Sequence, residues 1–268
     1  MPPSTRRSAS AKQKLSEYRR KRNFASTPEP TGDARAKQQK RKAKVKLPMF
    51  CVQKHLASSL HYDFRLEHKG VLLSWAVPKG PSLNPADKRL AMQTEDHPLD
   101  YGEFEGVIPE GYGAGVVVLW DKGTWKPEVD DVDRAIAKGD LKFKLNGVKL
   151  KGSWVLVRTR GFSSNGPSRS WLLIKHRDAW AGEVDVIESF PQSVKTGRDF
   201  AEILAEDQPE VWESHRPGKG GASGKLMQKL IKEATTLRAS REGAHKKDAA
   251  ARKPSRSKRT RAPVKSNR

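Results

Sequence analysis

The chain has 268 residues, enough for one large domain or two small ones, and carries 53 Lys and Arg against 31 Asp and Glu. Its single cysteine, Cys51, excludes an internal disulfide and fits a reducing cytoplasm. The amino terminus lacks the apolar core of a signal peptide, and no run of about 18 apolar residues predicts a membrane span. Secreted and membrane-spanning proteins are therefore excluded as interpretations.

The excess positive charge lies at the two ends of the chain. Residues 1–46 carry 15 basic and 3 acidic side chains, and residues 215–268 carry 17 and 3. All seven Trp lie between positions 75 and 212, so the core-forming aromatic mass is central. Basic tails around a neutral body predict a polyanionic partner, by default nucleic acid, and no membrane partner, since neither tail shows an amphipathic stretch with bulky aromatics. We expect a cytoplasmic, nucleoid-associated protein with disordered tails.

The amino-terminal segment begins with a predicted short helix over residues 12–22, with Leu15 and Tyr18 on one side. The prolines of the Ser-Thr-Pro-Glu-Pro stretch that ends at position 30 enforce an extended path after it. Residues 33–46 form a linker rich in Lys, Arg and Gln. We assign residues 1–46 to a basic arm and linker that contain a short distinct segment around 18–30.

The middle of the chain is mainly β. Turn signals such as His68-Lys-Gly70, Asp121-Lys-Gly123 and Asn146-Gly147 separate short strand-like runs. This spacing predicts an antiparallel sheet closed into a barrel or a sandwich. The predicted strands are Phe50–Gln53, His61–Glu67, Val71–Val77, Arg89–Thr94, Val116–Trp120, Leu141–Leu145, Ser153–Arg158 and Trp171–Lys175.

Helical patterns flank this β region. A small helix is expected over Asp130–Lys138 and another over Thr196–Glu206, where Phe200 and Leu204 would pack on the sheet. Residues 47–206 are therefore assigned to one domain. Residues 207–268 are assigned to a basic, low-complexity tail in which Lys225–Arg238 is transiently helical.

One strand carries the first cluster of reactive side chains. From position 61 the pattern alternates, with His61, Asp63 and Arg65 on one face and aromatic or aliphatic residues on the other. His55 lies six residues earlier, beyond a short turn that would bring it back over this strand. Two imidazoles and a carboxylate suit Mn²⁺, Zn²⁺ or Fe²⁺ better than Mg²⁺ or Ca²⁺, and an Arg beside them suits phosphate.

A second polar cluster begins about thirty residues later with Glu95 and His97. Histidine is the side chain whose charge ordinarily changes near neutral pH, so His97 would serve as a general acid or as a donor to a phosphate oxygen. Tyr101 offers a hydroxyl to a non-bridging oxygen. Arg89 shares parity with Glu95 and His97 if residues 89–97 stay extended. For Arg89 and Glu95, a surface salt bridge is an almost equal interpretation.

Two other stretches resemble motifs only weakly. The Gly-rich run that ends at Gly115 leads into a strand rather than a helix, which favours a hairpin over a phosphate loop. Lys144-Leu-Asn-Gly147 resembles the lysine site of covalent nucleotidyltransferases, although Asn-Gly is typical of a tight turn.

Four stretches taken together resemble a known family, and the likeness extends from about Tyr18 to Arg198. They are Gln53-Lys-His-x-Ala-Ser-x-Leu-His-Tyr-Asp-Phe-Arg-Leu-Glu67, Ser74-Trp-Ala-Val-Pro-Lys-Gly-Pro-Ser82, Glu95-Asp-His-Pro-Leu99 and Phe104-Glu-Gly-x-Ile-Pro. The family is the 3′-phosphoesterase domain of bacterial ATP-dependent DNA ligase D. The resemblance implies a compact β-barrel flanked by short helices. It also implies a metal-dependent enzyme that removes a terminal 3′ ribonucleoside and then the remaining 3′-phosphate during non-homologous end joining.

The resemblance also assigns roles to residues. His55, His61 and Asp63 match the metal ligands, for Mn²⁺ or another divalent transition metal such as Zn²⁺ or Co²⁺. The catalytic group comprises Arg65, His97 and Tyr101, supported by Arg89 and Glu95. In the arm, Arg22 and Glu29 match a substrate-binding segment of the family. The resemblance implies that this segment, around residues 18–30, folds over the active site. That segment normally reads Arg-Asp-Phe, but here Asn23 replaces the Asp, and we expect ribonucleoside removal to be affected most.

The implied partners are DNA 3′ ends, primer-templates with a 3′ ribonucleotide or phosphate, a separate DNA ligase and a Ku-like end-binding protein. The chain shows neither a ligase nor a polymerase module, which predicts a stand-alone version whose basic tails supply the affinity for DNA. Two alternatives remain open: a covalent nucleotidyltransferase that uses Lys144, and a non-enzymatic basic DNA-binding protein.

Overall fold

A computed structural model describes residues 11–22, 24, 29–31, 47–108, 114–159, 168–206 and 222–251. The prediction of disordered tails falls for the most part on residues 1–10, 32–46, 207–221 and 252–268, which lie outside the described residues, as does most of the Gly-rich run before Gly115. None of the helices in the described ranges is both long and apolar enough to cross a membrane.

The described residues form nine strands, and every pairing is antiparallel. Eight of them follow one another in the order β1-β2-β3-β4-β9-β8-β7-β6, and β6 pairs back onto β1, so that the sheet closes into a barrel. β5 adds to the start of β6. The prediction of an antiparallel barrel is therefore confirmed. The strands are β1 Met49–Leu56, β2 Leu60–His68, β3 Val71–Val77, β4 Arg89–Gln93, β5 Gly106–Ile108, β6 Gly115–Pro127, β7 Asp140–Gly147, β8 Lys151–Arg158 and β9 Ser170–Lys175.

The predicted turn at Asp121-Lys-Gly123 is wrong, because β6 runs straight through it. The Asp121 carboxylate is fully buried and accepts hydrogen bonds from its neighbour Lys122 and from the backbone N–H groups of Val148, Lys149 and Leu150. Gly123 is needed because a Cβ there would lie 2.1 Å from a backbone oxygen of β7. The Asp and Gly that predicted a turn instead hold β6 against the β7–β8 connection.

Within the described ranges, six short or peripheral helices accompany the barrel. α1 and α2 confirm the predicted amino-terminal helix, with Leu15 and Tyr18 buried on one side. α3 begins at the predicted place with Asp131 as its N-cap, and it ends at Gly139, whose φ of 83° is the left-handed conformation that glycine accepts best. The helices are α1 Ala11–Lys14, α2 Ser16–Arg20, α3 Val132–Lys138, α4 Val186–Ser189, α5 Phe200–Glu206 and α6 Ala222–Ala251, and a 3-10 turn spans Leu99–Glu103.

The segment predicted to be a basic tail contributes one of these helices. α6 buries Leu230 and Ala234 in a small apolar cluster with α5 and β6, and Arg238 donates to the last carbonyl groups of α5. The same cluster includes Leu56 and Leu60, which flank the turn between β1 and β2.

The main core explains which face of β2 is left for chemistry. Tyr62, Phe64 and Leu66 are buried with the large aromatic residues of the barrel, as the alternation predicts. Strand geometry therefore turns His61, Asp63 and Arg65 to the opposite face. A second layer made of the 3-10 turn and the amino-terminal arm packs on that face.

Candidate active site

The β1–β2 hairpin brings the three predicted metal ligands together. His55 pairs directly with His61, and Gln53 pairs with Asp63, so these side chains share one face of the sheet. One ligand atom from each of His55, His61 and Asp63 lies within 4.8 Å of the other two. The turn predicted between the two histidines therefore has the expected effect.

The geometry of this triad fits a divalent transition metal. Nδ1 of His55 lies 3.5 Å and Nε2 of His61 lies 3.7 Å from the Asp63 carboxylate oxygens. These separations are close to the spacing of about 3.4 Å expected for two tetrahedral ligands that are each about 2.1 Å from one ion. His61 donates its other ring hydrogen, on Nδ1, to the Ser59 carbonyl at 2.9 Å, an arrangement common among metal-binding histidines.

The charge states of the triad also suit a metal. Burial alone would raise the pKa of Asp63, but Arg65 and the two imidazoles outweigh it and hold the pKa of this carboxyl well below its usual value. Burial lowers the pKa of His61 despite the nearby Asp63. A carboxylate and neutral imidazole are the forms that bind a metal.

Arg65 is held rigidly beside the triad. Its guanidinium donates to Gln53 Oε1 at 2.8 Å, to Ser74 Oγ at 2.8 Å and to Asp63 Oδ2 at 3.0 Å. It also lies over the Tyr101 ring, 4.9 Å from the centroid. Since a guanidinium has five N–H donors, two of them remain beyond these three bonds for an incoming phosphate.

Gln53 and Ser74 hold Arg65 in place, and the sequence interpretation gave neither of them a role. Gln53 is fully buried, and its amide donates to the carbonyls of Tyr101 and Phe104 while its oxygen holds Arg65. It therefore joins the 3-10 turn to β1 and β2. A signal was present, since Gln53 has the same strand parity as His55 and directly follows the apolar run Met49–Val52.

His97 is fixed in one tautomer. Nδ1 lies 2.9 Å from the Glu95 carbonyl and Nε2 lies 3.2 Å from Nη2 of Arg22. Because a carbonyl only accepts and a guanidinium only donates, the ring must carry its hydrogen on Nδ1 and accept at Nε2. Burial and the charges of Arg65 and Arg22 hold the pKa of His97 well below its usual value, which favours this neutral form.

The amino-terminal arm closes over this cluster through charged contacts. Arg22 donates to Glu29 at 2.8 Å and to one Glu95 oxygen at 3.2 Å, while Lys21 donates to the other Glu95 oxygen at 3.0 Å. These carboxylates are almost completely buried. Burial favours the protonated form of Glu95, but the hydrogen bonds from Lys21 and Arg22 help to lower its pKa.

Aromatic rings fill the space between the arm and the barrel. Tyr101 packs against His97 at 4.9 Å between centroids and against Tyr18 at 6.0 Å. Burial raises the pKa of Tyr101 well above its usual value, so its hydroxyl stays protonated and can act as a donor.

Not every predicted site residue joins the cluster. Among the described contacts, Arg89 donates to Asp87 at 2.9 Å and does not touch His97 or Glu95, because β4 ends at Gln93 instead of staying extended. Asn23 lies outside the described residues. Lys144, on which the nucleotidyltransferase alternative depends, is 60 % exposed and pairs with Glu128.

Comparisons with known proteins agree with this geometry. The sequence model of the DNA ligase D 3′-phosphoesterase domain matches residues 53–158. The chain is 46% identical to the multifunctional non-homologous end joining protein LigD of Pseudomonas aeruginosa over 227 residues, which are 83% of this chain and 26% of the relative. It is 43% identical over 156 residues to the non-homologous end joining DNA repair protein LigD of Mycobacterium tuberculosis strain H37Rv, 55% of this chain and 19% of the relative.

The chain thus spans about a quarter or less of the length of these relatives. The similarity to the Pseudomonas protein nevertheless extends over most of the chain. The matched residues include the complete triad, Arg65, His97 and Tyr101. This chain therefore belongs, through its barrel domain, to the DNA ligase D 3′-phosphoesterase family.

Proposed function

We propose that the chain removes a 3′-terminal ribonucleoside from DNA and then hydrolyses the remaining 3′-phosphate, leaving a 3′-OH for non-homologous end joining. The observation that carries the proposal is the compact triad of His55, His61 and Asp63 with Arg65 directly beside it. A metal site and a fixed guanidinium on the same strand face suit attack on a phosphate ester.

The catalytic unit in this proposal is the barrel of residues 47–206 together with the arm. His55, His61 and Asp63 would hold the ion, with Mn²⁺ preferred and Zn²⁺ or Co²⁺ as alternatives. When bound, such an ion supplies Lewis acidity that polarises the phosphate ester and acidifies a nucleophile. The chain's own contribution is to orient the phosphate and to balance its charge.

Arg65 contributes its two remaining N–H donors to the phosphoryl oxygens, and the Tyr101 hydroxyl donates to a third position. Arg22 donates to His97 in the closed arrangement and is the second guanidinium at the site. Because His97 carries its hydrogen on Nδ1, it accepts at Nε2. To act as a general acid it must gain a proton at Nε2, which becomes possible when Arg22 turns from His97 to the substrate.

The decisive experiment uses a labelled primer-template that ends in a single 3′ ribonucleotide, incubated with Mn²⁺ and, in parallel, with chelator. We expect metal-dependent conversion first to a 3′-phosphate and then to a 3′-OH. His55→Ala and Asp63→Ala should abolish both steps, whereas the exposed Lys144→Ala is the matched control and should retain them. Full activity of either ligand variant in metal-defined buffer would overturn the assignment.

The primer assay and one companion incubation separate the alternatives. A purely architectural protein would bind the primer without changing it. A nucleotidyltransferase would form a covalent adduct on Lys144 in the companion incubation with labelled ATP. We further propose that the protein is cytoplasmic and nucleoid-associated, and that it acts at DNA ends together with a separate ligase and a Ku-like end-binding protein. Co-purification from cells with broken chromosomes tests that proposal.

A further inference from the structure

We propose that Tyr18 is the anchor that docks the amino-terminal arm on the barrel, and that it acts as a positioning residue for Arg22 and His97. The inference rests on the proposed function and gives a role to a residue that the site prediction left unused.

The ring of Tyr18 is completely buried although its helix lies outside the barrel. Its edge meets the His97 imidazole at 4.9 Å between centroids and the Tyr101 ring at 6.0 Å. On the arm itself Phe24 lies 5.9 Å away. Edge-to-face contacts at these distances stabilise a specific orientation as well as burying apolar area.

Tyr18 also connects the two ends of the segment 18–30. Its hydroxyl donates to the Pro30 carbonyl at 2.8 Å, and the Arg22 guanidinium lies 3.9 Å above the ring centre. Nη1 of Arg22 donates back to the Tyr18 carbonyl at 3.2 Å. The ring is therefore the point where the helix, Arg22 and the returning segment of the arm meet.

The charged contacts of the arm cannot replace this anchor. Lys21 and Arg22 reach Glu95 only after the arm is in place, and ion pairs that become exposed to water are weak and flexible. A buried aromatic ring supplies apolar burial that does not depend on salt. When the ring is lost, Arg22 should leave His97 even though its own charge is unchanged.

The matched variants are Tyr18→Ala, Tyr18→Phe, and Trp180→Ala, which truncates an exposed aromatic residue elsewhere. Single-turnover removal of the 3′ phosphate should fall by about 10²-fold in Tyr18→Ala, the loss typical of a misplaced catalytic group. Tyr18→Phe keeps the ring, so its single-turnover rate should fall by less than about tenfold relative to the wild-type protein. Mn²⁺ affinity, followed by electron paramagnetic resonance, should be unchanged in all three. The melting temperature should be unchanged in Trp180→Ala and should fall by only a few degrees in Tyr18→Ala, because the arm leaves the barrel while the barrel stays folded. Trypsin should cut after Lys21 and Arg22 faster in Tyr18→Ala alone.

Several outcomes would overturn the inference. One is wild-type kinetics and trypsin protection in Tyr18→Ala. A second is an equal loss in Tyr18→Phe, which would assign the effect to the hydroxyl. A third is a loss of Mn²⁺ affinity together with a large fall in melting temperature, which would make Tyr18 an ordinary core residue. If the wild-type protein does not process the primer at all, the proposed function fails, while the protease and metal readouts still test the docking role.

Discussion

Replacing Gln53 with Ala tests whether the rigidity of Arg65 is essential to the site. Gln53 is the only described side chain that bonds both Arg65 and the 3-10 turn that carries Tyr101. Among the described contacts, its removal leaves the buried Arg65 Nε–H and the partly buried Phe104 carbonyl without a partner, while the Tyr101 carbonyl keeps only its bond from the Phe104 N–H. The variant should therefore lose both stability and rate.

The expected magnitudes follow from those three bonds. A buried hydrogen bond to a charged group contributes about 1.5–3 kcal/mol, and the stranded Phe104 carbonyl adds about 1 kcal/mol. We expect the free energy of unfolding to fall by about 2.5–4 kcal/mol. Once Arg65 is free to swing, its stabilisation of the phosphoryl charge should weaken by about 3 kcal/mol, or 10²-fold in rate.

Urea denaturation measures the first effect and single-turnover phosphate release at saturating Mn²⁺ measures the second. Ser74→Ala is the matched comparison, since it also removes one hydrogen bond from the Arg65 guanidinium but leaves the 3-10 turn attached to the strands. It should lose about tenfold or less in rate. If Gln53→Ala is destabilised but retains the wild-type rate per folded molecule, Arg65 does not need this support and the reasoning is wrong.

Three further predictions concern pH, the barrel and the tail. Burial raises the pKa of Asp96 from 3.8 to about 6. Because the native state then holds this proton more tightly than the unfolded state, the free energy of unfolding falls as the pH rises from about 4 to about 6 and stays lower above that range. In urea titrations, Asp96→Asn should raise the free energy of unfolding by about 1–3 kcal/mol at pH 7.5 and by less than about 1 kcal/mol at pH 4. An equal gain at both pH values would contradict this linkage. Asp121→Ala strands the backbone N–H groups of the β7–β8 connection and should lower the unfolding free energy by about 2–4 kcal/mol, whereas an unchanged denaturation midpoint would refute the role of this carboxylate. Deleting residues 252–268, which contain eight Lys and Arg and no Asp or Glu, leaves α6 whole and should reduce the salt dependence of DNA binding without slowing the saturated reaction, and an unchanged salt slope would exclude the tail from DNA contact.

The strands and the centre of the site could be predicted because both depend on a period of two. The alternation along β2 determines which residues enter the core, and a three-residue turn determines that His55 pairs with His61. Eight of the nine strands were identified in this way. β5 was missed because three residues are too few to display an alternation.

The remaining features depend on contacts that are distant in the sequence. Asp121 looks like a turn residue until the N–H groups near position 150 come close to it, and Gln53 looks like an ordinary strand residue until the 3-10 turn covers it. The parity argument for Arg89 failed because the strand ended before reaching the second cluster. Local patterns cannot show where such elements stop or what packs over them.

The charges at the site explain why a metal and a phosphate would bind best together. The described side chains of this cluster include three cations and three carboxylates. Lys21 donates to Glu95, Arg22 donates to both Glu29 and Glu95, and Arg65 donates to Asp63. These charged side chains therefore balance before any ligand arrives, and the lowered pKa values of His61 and His97 keep their imidazoles from adding positive charge. A divalent cation alone would leave an excess of two positive charges in a poorly hydrated region, and a phosphate dianion alone would leave the opposite excess. Each ligand therefore lowers the electrostatic cost of binding the other, and by linkage the effect must be reciprocal.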